Sequence, residues 1–283
     1  MFRKNVIKIL LICISVLIVY GFMQSFQPKN IVLKATPSYF IENNLFIPIA
    51  SISMFLTYVI ISYMFLRIRN GLKYNAIVSG ILFSLSFIGF WFVGMFEPYL
   101  LFNESFYFCL FLAIVDSIAL LLLGLLLGIF IKKTIIHTTE KIEMTNMSKI
   151  VLVALFFLLG RLFSYIIIGV HSSLKILPFE NILWVISIGL ATGFLYWISY
   201  NANRYSPIKK AMWFGLSYFG IIWIIYNSFN PLFVKHEIFG IGNISLMDLY
   251  IKTFVDVIFV TFGIVVIENI YCRKQSISKI REA

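Results

Sequence analysis

Three charged residues stand inside otherwise apolar stretches of this 283-residue chain: Asp116, Arg161 and Asp256. Two carboxyl groups and a guanidinium can do one of two things in such surroundings. They can neutralise one another as a structural ion pair or triad, which would lock two parts of the molecule together. Alternatively, they can line a polar site where a solute, a proton or a cation meets Asp116 and Asp256. Ionisable side chains at membrane depth are costly, so each is a functional-site hypothesis with a partner to be named. Both readings need the three residues at one level, which depends on the segments that carry them.

Those segments follow from composition. The chain is 61% hydrophobic, 18% aromatic and only 12% charged, against roughly 45–50% apolar and about 25% charged in soluble domains. A water-soluble globule, a disordered chain and a nucleic-acid scaffold are excluded. Three cysteines are too few for a disulfide framework. An α-helical span needs about 20 apolar residues. Five runs without Asp, Glu, Lys or Arg meet that length: Ile9–Pro28, Asn43–Leu66, Tyr74–Phe96, Asn181–Asn203 and Ala211–Val234. Three more apolar segments carry an internal charge: Ser105–Ile131 with Asp116, Ile150–Val170 with Arg161, and Leu249–Tyr271 with Asp256. The expected fold class is therefore all-α, a polytopic membrane bundle of eight helices. At 1.5 Å per residue, Arg161 lies about 18 Å beyond Lys149, and the aspartates lie roughly 14–17 Å from the opposite boundary. All three fall near mid-membrane.

Loop charges predict orientation. Arg3, Lys4, Lys8, Arg67, Arg69, Lys73, Lys132, Lys133, Lys141, Lys149, Arg204, Lys209, Lys210, Arg273, Lys274, Lys279 and Arg281 share one side, 17 in all. Lys29, Lys34, Lys175 and Lys235 make 4 on the other. The positive-inside rule puts both termini in the cytoplasm of a cell-membrane protein, and it accounts for the net charge of +11 without nucleic acid. The first segment lacks a small-residue cleavage site after its apolar run, so it is expected to stay as a span rather than leave as a signal peptide.

The two halves resemble each other. Phe83-Ser84-Leu85-Ser86-Phe87-Ile88-Gly89 matches Phe214-Gly215-Leu216-Ser217-Tyr218-Phe219-Gly220 at an offset of 131. Glu97-Pro98 falls beside Asn230-Pro231, Asp116 beside Asp256, Lys132-Lys133 beside Arg273-Lys274, Glu42-Asn43 beside Glu180-Asn181, and Gly21 beside Gly160. The offset drifts between about 131 and 141, as small insertions would cause. This implies two four-helix units, 1–146 and 147–283. With an even number of spans each, they would form a parallel repeat about an axis along the membrane normal. Ser86 and Gly89, and Ser217 and Gly220, are small residues expected to let helices approach closely.

Other residues carry less. Asp248, Lys252 and Asp256 share one face of the last helix at i, i+4 and i+8. The first two are expected as a solvated pair at its start, or with Glu97 and Glu104 as an acidic outer vestibule. Glu42, Glu180 and Glu237 add to that acidic side. His171 and His236 could join Glu180 or Glu237 at a surface metal site, but nothing fixes their spacing; no metal and no cofactor is expected. His137 is expected in solvent. HExxH, GxSxG, Walker A and CxxC patterns are absent. Gly240-Ile241-Gly242-Asn243 has Asn where an intramembrane aspartyl protease needs Asp. Cys13, Cys109 and Cys272 are scattered, and Trp184 and Trp213 are expected as interface anchors among the five tryptophans. The loop Thr134–Ser148 is polar and without a recognisable motif.

The expected function is that of a small secondary carrier or channel for a cation or small solute, not an enzyme. The alternative is an accessory, immunity or assembly subunit that packs against another membrane protein or a second copy of itself. The orientation has a direct test. A reporter active only in the cytoplasm should work after Ala283 and within Thr134–Ser148, and fail within Lys29–Glu42; the reverse pattern would overturn the topology.

Overall fold

Long apolar runs in lipid have one way to satisfy their backbone groups locally, which is to form helix. The computed structural model describes residues 2–27, 37–72, 74–131, 147–170, 172, 174, 177–200, 206–233, 235 and 245–282, with helices and no strand among them. Eight helices are long and apolar enough to cross a membrane. They are α1 (Phe2–Gln24), α2 (Phe46–Ile68), α3 (Ala76–Gly94), α4 (Phe106–Phe130), α5 (Met147–Leu162), α6 (Pro178–Tyr200), α7 and α8 (Leu246–Glu282). The helix α7 runs over Pro207–Ala211, widens into π turns over Met212–Gly220, and returns to α geometry over Ile221–Phe233. The α5 helix ends in a similar wide segment, Phe163–Ile168, stopped by Gly169 at φ 78°.

Local signals set the boundaries. Asn75 caps α3 by accepting from the Val78 amide at 2.9 Å, and Ser245 caps α8 by accepting from the Asp248 amide at 3.0 Å. Each oxygen satisfies one of the donors that a helix start leaves free. Pro178 and Pro207 open α6 and α7, where the missing N–H costs nothing. After α3 the chain makes a turn and resumes as the short helix Glu97–Phe102, with Pro98 in its first turn and Asn103 in the left-handed region closing it.

The distribution of side chains is that of a bundle in lipid. Leu11, Ile18, Phe22, Ile47, Ile166, Phe179, Ile258 and Phe262 are exposed, whereas Glu97, Asp116, Lys149, Arg161, Lys252, Asp256 and Glu268 are buried. In water this arrangement would be unstable on both counts.

Helix neighbours recur. The α4 helix packs on α1 and α3, and α8 packs on α5 and α7; α1 adjoins α2, and α5 adjoins α6. Across the middle, α3 packs on α6 while α7 packs on α2. The seam between α3 and α7 is aromatic: Phe87–Tyr218, Phe90–Trp223 and Trp91–Tyr226 have ring centroids 5.6, 5.2 and 5.4 Å apart. These pairs are tilted or edge-on, the geometry that ring quadrupoles favour.

Of the small residues expected at close approaches, Gly220 is one, since a Cβ placed on it would lie 3.2 Å from Val257 of α8, but others fall elsewhere. Ser217 is exposed and nothing lies within 4 Å of a Cβ placed on Gly89, although Ser86 and Gly220 are buried. Instead Gly80 on α3 meets the backbone of Gly124 and Gly128 on α4, and Gly193 on α6 meets the backbone of Ile150 on α5. The π turns of α7 explain part of this, since each adds a residue and rotates the helix beyond it. Gly80→Val would drive its side chain into the Gly124 carbonyl, and should cost about 1–3 kcal/mol or more in detergent unfolding. Gly89→Ala should leave stability unchanged or raise it by up to about 1 kcal/mol.

Candidate functional site

At the centre of the bundle Arg161 comes from the last turn of α5 before its wide segment. Its Nε lies 2.9 Å from Asp256 Oδ2 on α8, with both side chains fully buried. Trp223 of α7 donates its indole N–H to the same Oδ2 at 2.8 Å. The second arm of the guanidinium donates from Nη1 to Glu97 Oε1 at 3.4 Å and to the Tyr165 hydroxyl at 3.3 Å. The rings of Phe157, Trp184 and Trp223 surround its carbon at 5.6, 5.3 and 5.3 Å. A guanidinium is planar and weakly hydrated, so it gains from aromatic faces as well as from carboxylates.

Glu97 extends the network. Its Oε1 also accepts from Lys252 Nζ at 2.6 Å, and both side chains are buried. Glu97 opens the short helix after α3, with Pro98 next, and lies on the continuation of the buried face of Phe90 and Gly94. Lys252 stands one helical turn from Asp256 on α8. Asp256, Arg161, Glu97 and Lys252 thus form one buried chain of two cations and two carboxylates, formally neutral. Two of the residues expected in an outer vestibule, Glu97 and Lys252, are therefore interior. Glu104 is also buried, and Asp248 is half-buried at the α8 cap. The expected Asp248–Lys252 pair gives way to the stronger, dry contact with Glu97.

Asp116 on α4 occupies a different setting. Trp91 of α3 donates its indole N–H to Oδ2 at 2.8 Å, the same bond that Trp223 makes to Asp256. Where α5 presents Arg161 to Asp256, α1 presents the Tyr20 hydroxyl to Asp116. No Lys or Arg among the described residues pairs with Asp116, and its Oδ1 has no hydrogen-bond partner there. A narrow crevice of about 170 Å³, too tight for water, runs along it between Met54, Thr57 and Tyr58 of α2, Trp91 and Leu120. Of the expected alternatives, a pair or a triad, the described residues hold the pair: Arg161 pairs with Asp256 and not with Asp116.

A second buried cluster was not foreseen. Glu268 of α8 takes Lys149 Nζ at 2.9 Å, Lys210 Nζ at 3.8 Å and the Tyr196 hydroxyl at 2.7 Å, tying α5, α6 and α7 together near the lysine-rich side. Trp184 is buried against Arg161 and donates to the Val93 carbonyl, rather than anchoring at the lipid interface. Trp213 is half-buried against Tyr218. Cys13 and Cys109 are buried, with Cys13 facing Ser62. Among the described residues no group of His, Cys, Asp and Glu could hold a metal. His137, His171, His236, Gly240–Asn243 and most of Thr134–Ser148 lie outside the described residues.

Sequence reasoning missed Trp91, Trp223, Tyr20 and Tyr58. The two tryptophans were within reach, since they lie just beyond the matched segments of α3 and α7. The fold and its centre define a polytopic α-helical membrane protein with a buried, charge-bearing core. Comparison with protein families, curated proteins and solved structures finds no match.

The ion pair has a mutational signature. Arg161→Leu strands Asp256 in a dry site, which should cost about 3–5 kcal/mol in detergent unfolding. Adding Asp256→Leu should return most of that loss while leaving the Trp223 indole without an acceptor, a residual cost of about 1–3 kcal/mol. A double variant no more stable than the worse single would exclude the pair as the source.

Proposed function

We propose that the protein is a small secondary carrier for a cation or small solute, built from two parallel four-helix units, 1–146 and 147–283. The observation that supports it is a buried Trp–Asp pair on each side of the α3–α7 seam, of which only one is neutralised by a cation among the described residues. A carrier needs two packings of nearly equal energy around a central polar group. Two units meeting at one aromatic seam offer a natural axis for such an exchange, and repeat-built transporters hold their sites near the midplane at the repeat interface. The recurring helix neighbours favour the same duplication.

The loop charges favour residence in the cell membrane with both termini cytoplasmic. The bilayer is then the principal partner, a nucleic-acid partner is not part of this reading, and neither is a catalytic role. A second reading, an accessory or assembly subunit, draws support from the way Glu97, Lys252, Arg161 and Asp256 balance one another's charge. In that case the interior would only hold the shape, and function would reside on the exposed apolar faces.

Reconstitution separates the two. Wild-type protein in liposomes should take up at least one member of a panel of cations and small solutes above the level of empty vesicles. Uptake of none, together with co-purification in fixed ratio with another membrane protein, would reject the carrier in favour of the accessory subunit.

A further inference from the structure

Asp116 and Asp256 are both buried, each takes a tryptophan donor at Oδ2 and each has an Oδ1 without a hydrogen-bond partner among the described residues; they differ in their cations. Asp256 has a permanent cation at 2.9 Å and is locked into a network that joins α5 and α8 to the turn after α3. Asp116 has none. Its Oδ1 has no hydrogen-bond partner among the described residues, and neither has the hydroxyl of Tyr58, which lines the same crevice and is 1% exposed. A carboxylate in a dry site without a counter-cation is expensive, and neutralising it removes that cost.

We propose that Asp116 is a proton-binding site, and that the Asp256 side of the molecule is the fixed counterpart on which it works. The choice of ligand follows from space. The crevice does not hold a water-sized sphere, so a cation with its own coordination shell does not fit. A proton needs no room. The titratable and polar neighbours of the carboxyl are Tyr20 from α1, Tyr58 from α2, Trp91 from α3 and Tyr226 from α7, none of them a cation. In the step itself, a hydronium at half-buried Tyr20 gives a proton to the Tyr20 hydroxyl oxygen as that hydroxyl passes its own proton to Asp116, forming an O–H bond on the carboxyl and leaving water outside the dry site. The neutral acid is a donor, which the carboxylate is not, and it no longer holds a charge without a cation in a dry site. Release returns the proton to water and restores the carboxylate. This deepens the carrier reading and rests on it only for its purpose: proton binding would couple the movement of the solute.

The test uses the full-length protein in liposomes and infrared difference spectra recorded across a pH titration. Wild type should show a protonated-carboxyl C=O band that moves in heavy water. It should be lost in Asp116→Asn and kept in Glu180→Gln, a control at an exposed residue of α6. Tyr58→Phe should keep the band but shift its frequency, because a polar group lining the same crevice as the acid is gone; this variant serves if Asp116→Asn does not fold. A wild type without the band, a band that survives Asp116→Asn, or one unmoved by Tyr58→Phe overturns the proposal. A band that behaves as expected while Asp116→Asn still moves solute at the wild-type rate leaves the proton site standing and removes its role in the carrier.

Discussion

The rest of the molecule is arranged around the need to keep one guanidinium out of water. Arg161 is fully buried, and such a charge survives at this depth only if the protein supplies what the solvent would have supplied. Several elements contribute to that shell. The α8 helix brings a carboxylate to Nε, the turn after α3 brings Glu97 to the other arm, and α6 and α7 bring aromatic rings. The result ties the second half of the chain to the first through Glu97. Glu97 falls seven residues after Phe90, two helical turns on, and continues the buried face of α3 that carries Phe83, Phe87, Phe90 and Gly94.

The same economy governs the charge at the lysine-rich side. Glu268 alone receives two ammonium groups and a phenol, so α5, α6, α7 and α8 converge on one carboxylate. The α8 helix is the common member of both clusters, with Lys252 and Asp256 toward one end and Glu268 toward the other. It forms the spine of the second half. Among the described residues no ion pair joins α4 to its neighbours. Asp116 has its Trp91 and Tyr20 contacts, and beyond them small residues take over. The backbones of Gly80, Gly124 and Gly128 bring α3 and α4 into direct contact. One half is held mainly by charge and the other by shape.

Much of the fold was legible because lipid makes helix length and apolar run length almost the same quantity. All eight expected segments are helices, and the internal charges of three of them mark residues that are buried. The partners were harder to read. Arg161 and Asp256 could be matched by depth, but Glu97 looked like a loop residue because the apolar run ends before it, although it continues the buried face of α3. Lys252 looked like the solvated start of a helix, yet the bundle closes over it. Depth along a helix can be counted from sequence, whereas which way a side chain faces at a helix end depends on caps and neighbours. Ser217 failed for a related reason: the register that matched it to Ser86 does not survive the wide turns of α7.

Those wide turns have a mechanical meaning. In an α-helix successive residues are rotated by about 100°, and a π turn holds one residue more than the α turn it replaces. If the wide segment moves one turn along α7, the residues it passes rotate by one position while the hydrogen-bonded ladder on either side stays intact. Over Met212–Gly220 the wide turns stand between the lysine-bearing start of α7 and the part that carries Trp223. Their extra residue sets the rotation at which Trp223 and Tyr226 meet α3, while the backbone on either side stays helical.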